Sequence, residues 1–93
     1  MAKIYKYELS NLLGDVRDRV EIQMPAGATV LHVNKQGTTL CLWAMVPDDA
    51  PMVKRTFLIK GTGHQFILSD GLAYIGTVHF RNDRLVLHVF ESR

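Results

Sequence analysis

The chain has 93 residues, 47% of them hydrophobic and 22% charged, and its 11 basic and 9 acidic residues leave a formal charge of +2. That length suits one domain and is too short for two, and the near-balanced charge lacks the concentrated basic stripe of a nucleic-acid binder. The one cysteine, Cys41, excludes an intrachain disulfide and argues against a cysteine zinc site, and no apolar run reaches the roughly 20 residues of a membrane span.

The opening MAKIYKYELS has no apolar h-region, so no signal peptide is expected and the chain is assigned to the cytosol. The first strand is predicted over residues 3–9, with Tyr5, Tyr7 and Leu9 on one face. Residues 9–19 hold the one arguable helical stretch, but Gly14 interrupts it and most of it reads as a turn. The second strand, 17–24, turns Val20, Ile22 and Met24 inward and Arg19, Glu21 and Gln23 outward. Pro25-Ala26-Gly27 ends it. The third strand, 29–35, sets Leu31 and Val33 opposite in parity to Val30 and His32, and Gln36-Gly37 makes the next turn.

The fourth strand, 39–46, is apolar at both parities, which marks a central strand or one crossing a subunit interface. Pro47-Asp48-Asp49-Ala50-Pro51 is expected as the longest loop, stiffened by its prolines. The fifth strand, 52–60, places Val53, Arg55, Phe57 and Ile59 on one side and Lys54, Thr56, Leu58 and Lys60 on the other. It runs directly into Gly61-Thr62-Gly63-His64. A short apolar segment at 65–68 follows, closed by the turn signal Ser69-Asp70-Gly71. The last two strands, 74–80 and 85–90, flank Asn82-Asp83; an even-length loop pairs Phe80 with Leu85 and Val78 with Leu87. Ile75, Thr77, His79, Val86, His88 and Phe90 then share the other face, with His79 and His88 diagonal. Turn signals recurring about every ten residues predict one all-β domain over residues 1–93, a compact antiparallel sandwich or barrel of about six or seven strands.

Three groups of residues carry candidate chemistry. In the Gly61–Gly63 loop, exposed backbone N–H groups beside Lys60 form a candidate anion receptor, although the spacing matches neither a dinucleotide fingerprint nor a Walker motif. A structural turn is the competing reading. His79 and His88, with Thr77, are a candidate ligand-contacting pair; a metal site would need a third ligand, and no acidic residue or cysteine is expected beside them. Trp43, Tyr5, Tyr7 and Tyr74 are candidate stacking residues, with core packing the better reading for Trp43. No serine sits in a nucleophile elbow and no carboxylates pair for acid–base work, so no enzyme is expected and no cofactor or metal is implied.

The segments KIYKYEL, CLWAMVPDDAP, RTFLIKGTGH, LAYIGTVHF and LVLHVFE, in this order and spacing, resemble a family of small proteins found mainly in tailed-phage genomes and described only as of unknown function. The resemblance implies expression in the cytoplasm of an infected bacterium and transfers no residue role. It makes a non-enzymatic accessory protein the leading expectation. Such a protein would assemble as a homo-oligomer and sequester a small phosphate-bearing ligand, such as a nucleotide immune signal, at Arg55, Lys60, Gly61, Thr62, Gly63, His64, His79 and His88. The alternative is a protein–protein module that inhibits a host defence protein or serves as a minor virion or assembly component. Neither reading involves a membrane or nucleic acid.

Overall fold

Strict alternation gives each strand an apolar face that water disfavours, and packing two sheets face to face removes both from solvent. The computed structural model describes residues 1–67 and 71–92. These residues form β1 (Ala2–Asn11), β2 (Arg19–Pro25), β3 (Thr29–Gln36), β4 (Thr39–Pro47), β5 (Met52–Gly61), β6 (Leu72–Phe80) and β7 (Leu85–Ser92). A three-stranded sheet runs β1-β4-β3 and a four-stranded sheet runs β2-β5-β7-β6, with every neighbouring pair antiparallel. The architecture is a sandwich rather than a barrel, because the two ladders stay separate.

The central position expected for the apolar fourth strand holds: β4 lies between β1 and β3. Its Leu40, Leu42, Ala44 and Val46 are buried and form one core with Phe57 and Ile59 of β5, Val78 of β6 and Val89 of β7. The other parity of β4 is only partly covered. Cys41 is buried, Trp43 is half-buried with its ring 6.4 Å from that of His32, and Met45 is exposed. Burial pushes the Cys41 thiol above its ordinary value. In β2 the expected faces are observed, with Val20 and Met24 buried and Arg19, Glu21 and Gln23 exposed. No helix occurs among the described residues, and the connection after β1 is a turn closed by Asn11 and Asp15.

Three bulges break the alternation, between Glu8 and Ser10, between Val30 and His32, and between Tyr74 and Gly76. Each adds one residue to its strand and shifts the face of the residues beyond it. The first lets Leu9 and Ser10 both be buried, and the second leaves Leu31 exposed. The third moves Ile75 against the core and puts Tyr74, not Ile75, across from Phe90. Immediately after this bulge the sheets close tightly: a Cβ on Gly76 would come within 2.7 Å of Val33 Cγ2.

The connection over 62–71 is longer than the Pro47–Pro51 loop expected to be the longest, whose Pro47 instead ends β4. Residues 65–67 of the anticipated apolar segment are not a strand. The anticipated turn at Ser69-Asp70 lies outside the described residues, and Gly71 after it has φ +87°. The β6–β7 register is the even-length one, Phe80 with Leu85 and Val78 with Leu87. Its turn holds Arg81, Asn82 and Asp83 all at positive φ.

Arg55 shares the inward parity of Phe57 and Ile59, so its guanidinium enters the sandwich. Nε and Nη2 donate to the two carboxylate oxygens of Glu91 at 2.6 and 2.7 Å, and Nη1 donates to the Ala28 carbonyl. The two side chains are 20% and 19% exposed. The bond to Ala28 ties β5 to the link by which the chain crosses from β2 into the other sheet. Hydrogen bonding to Glu91 raises the Arg55 pKa further, against the opposing effect of burial. Truncation leaves Glu91 with no counter-charge in a site that water barely reaches. Arg55→Ala is expected to lower stability by about 3 kcal/mol in denaturant unfolding, and an Arg55→Met, Glu91→Leu double variant to recover most of that loss.

Candidate functional site

Period two sends Lys60 to the outer face of the four-stranded sheet, opposite in parity to Phe57 and Ile59. The ladder pairs Lys60 with His88 and His88 with Thr77. After β5 the chain turns back over this face. The Thr62 N–H donates to the Val86 carbonyl at 3.2 Å, the His64 N–H donates to the Gly61 carbonyl at 3.1 Å, and Gly63 takes φ +85°. Thr62 Oγ1 thereby lies 2.7 Å from His88 Nε2. Thr77 Oγ1 lies 3.0 Å from His88 Nδ1 and is hydrogen-bonded to the Tyr74 hydroxyl.

Thr62, His88, Thr77 and Tyr74 thus form one continuous chain of hydrogen bonds. A neutral imidazole donates from one nitrogen and accepts at the other, and each hydroxyl does both. In one polarity Tyr74 donates to Thr77, Thr77 to Nδ1, and Nε2–H to Thr62, leaving the Thr62 proton free. In the other polarity the free proton is at Tyr74. Either way, one end offers an O–H donor to an incoming acceptor. Aromatic rings flank the chain: Phe90 stands 5.6 Å from Tyr74 and 6.1 Å from Phe66, centroid to centroid. The Lys60 ammonium lies 5.2 Å from the centre of the Phe66 ring.

Of the anticipated residues, this face unites Lys60, Thr62 and His88. Gly61 and Gly63 shape the loop, but the amides of Thr62 and His64 bond within the protein, so the expected cradle of outward backbone N–H groups is not formed by these two. Arg55, expected beside the ligand, is instead turned into the sandwich toward Glu91, because its parity is that of the core. His64 lies on the far side of the loop, against Gly61, where a Cβ would come within 2.8 Å of its ring. His79 remains diagonal to His88 but contacts Asp83 of the turn at 3.1 Å; the hairpin therefore does hold an acidic neighbour. Among the described residues no three His, Cys, Asp or Glu side chains group to hold a metal ion.

Thr77 was legible from the hairpin register. Phe90 was legible too, since it shares parity with His88. Tyr74 was not, because only the bulge brings it to this face. Phe66 lies in an irregular segment with no period to assign it. Tyr5 and Tyr7 line a separate cleft of about 460 Å³ where the β1 and β2 edges part, with Gln23, Pro47 and Asp48. The Tyr7 phenol is pushed above its ordinary value there by burial and then by Tyr5, with Arg55 opposing. Lys3 already sits over Tyr5, 5.0 Å from the ring centre.

A family model described as a domain of unknown function (DUF7352) matches residues 1–93, the full length of the chain. No curated protein and no solved structure matches.

The Thr62–His88 contact predicts a local stability effect. Thr62→Val removes the side-chain link between the loop and β7 while keeping the shape. Amide exchange over 62–66 is expected to quicken about fivefold, the size of one net hydrogen bond, with the β6–β7 amides unchanged. Hydrogen exchange followed by NMR checks both halves of that expectation.

Proposed function

This chain belongs to the DUF7352 family, and from the surface just described we propose that it is a non-enzymatic binding protein for a small phosphate-bearing ligand of the nucleotide type. The observation that carries the reading is the Thr62–His88–Thr77–Tyr74 chain beside Lys60 and three aromatic rings. Phosphate oxygens accept hydrogen bonds and carry negative charge, which suits the free hydroxyl proton and the Lys60 ammonium. A base has a π-face, which suits Phe66, Phe90 and Tyr74. The open sheet covers one side of such a ligand, so a second copy stacked on this face supplies the opposing wall. This is the role we assign to homo-oligomerisation. Sequestration of a nucleotide immune signal in the cytoplasm of an infected bacterium, the expectation that the sequence resemblance raises, completes this proposal. No helix among the described residues is long and apolar enough to cross a membrane.

A second reading, docking to a host or virion protein, is favoured by a different surface. On the three-stranded sheet, Ile4, Leu31 and Met45 are 62%, 49% and 43% exposed, beside the half-buried Trp43. Exposed apolar groups of this kind mark contact surfaces.

Calorimetric titration with linear and cyclic nucleotides separates the two. Lys60→Ala, which loses a charge-assisted hydrogen bond, and His88→Ala, which breaks the chain that orients the free hydroxyl, are each expected to weaken the best nucleotide about tenfold. His79→Ala, whose ring is engaged by Asp83 of the turn and takes no part in the hydrogen-bond chain, is expected to bind as wild type does. Undiminished affinity in both Lys60→Ala and His88→Ala would remove this face from the site. Absence of nucleotide binding, with a host polypeptide retained by wild type and lost in Ile4→Glu, would establish the second reading.

A further inference from the structure

On the inner side of the same loop, a pocket of about 430 Å³ opens at the end of the sandwich. Its walls are Leu12, Val16, Ile59, Leu85 and Leu87. They come from three separate stretches of chain: the connection after β1, the end of β5 and the start of β7. Ile59 is 5% exposed, so the floor of the pocket is the core itself. A pocket of a few hundred Å³ with apolar walls and a few polar groups at its rim has the form of a small-molecule site.

The rim selects the ligand. Ser10 Oγ already accepts the Arg17 N–H at 2.9 Å, and the Arg17 guanidinium is paired with Asp15 at 2.8 Å. The charge that remains at the rim is that of the exposed Asp18, and His64 also lines the pocket. Both are held by the backbone. The Asp18 carbonyl accepts the Ile59 N–H at 2.9 Å, and His64 is anchored through its own N–H to Gly61. An apolar body with an ammonium head matches this arrangement: the body fills the aliphatic walls and the head meets the Asp18 carboxylate. We propose that this pocket is a second binding site, for a small aromatic or aliphatic amine. It does not rest on the nucleotide reading, since Lys60 and His88 take no part in it.

Methyl NMR titrations with 1-naphthylmethylamine and with 1-naphthoic acid test the proposal. The amine is expected to shift the methyl signals of Leu12, Ile59, Leu85 and Leu87 saturably, and the acid to bind about tenfold more weakly for want of a charge-assisted hydrogen bond. Asp18→Asn is expected to abolish that preference. Val16, 68% exposed, can enlarge without loss of core packing. Val16→Trp is therefore expected to fill the mouth and remove the shifts while the spectrum stays dispersed. Gly61→Ala is the second variant, because its Cβ displaces the His64 ring; it is expected to weaken the amine as well. Shifts that map elsewhere, equal binding of acid and amine, or unchanged amine binding in folded Val16→Trp and Gly61→Ala would each overturn the assignment. Lys60→Ala is expected to leave amine binding unaltered, so a failed nucleotide titration and a failed amine titration are separate results.

Discussion

The inner row of β4 is the constraint on which the rest depends. Leu40, Leu42, Ala44 and Val46 are removed from water only because Phe57, Ile59, Val78 and Val89 cover them from the other sheet. A chain this short buries a smaller share of its surface than a larger domain does, and one two-layer core takes up many of its apolar residues. Both outer faces and both open ends are then left to solvent. The candidate sites arise from that geometry: a polar chain on the wet face of the larger sheet, and a pocket where the layers end. Arg55 and Glu91 are the exception inside the sandwich. Their pairing makes a charged residue tolerable there and fixes the link that carries the chain between sheets.

Four residues divide the surface into two chemistries. In Gly61-Thr62-Gly63-His64 the two larger side chains point to opposite sides of the turn. Thr62 reaches His88 on the outer face, whereas His64 folds beneath Gly61 toward the aliphatic pocket. Gly63 at φ +85° lets the chain reverse between them, and Gly61 leaves room for the imidazole. A threonine and a histidine two positions apart thus serve different environments without a second loop.

Much of this fold was legible because period two survives along β2, β4, β5 and β7. The β6–β7 register came from matching Phe80 with Leu85 around an even-length turn. Even the inward course of Arg55 was present in the pattern, since it shares parity with Phe57 and Ile59; its partner, Glu91, lies 36 positions on and left no local trace. The bulges were not legible. Nothing at Leu9, Leu31 or Ile75 differs from an ordinary strand residue, because the extra residue is imposed by the neighbouring strand and the core beneath it. That is why the bare alternation sets Ile75, and not Tyr74, beside His88. The aromatic flank at Phe66 depends on a tertiary contact and not on a repeat.

The order of strands in the sheets also governs how the chain emerges from the ribosome. Only β3–β4 and β6–β7 join strands adjacent in sequence; β1 pairs with β4 from Ala2 opposite Pro47 to Asn11 opposite Thr39, and β2 waits for β5. β1 therefore has no ladder partner until β4 has been made, and β2 has none until β5 has been made. The β3–β4 hairpin is the first that can close, and its outer edge is the template on which the amino-terminal strand is laid. Nascent chains held at that stage carry Tyr5, Tyr7 and Leu9 uncovered, so the burden of remaining unaggregated during translation falls on Lys3, Lys6 and Glu8, the charges that precede and interleave them.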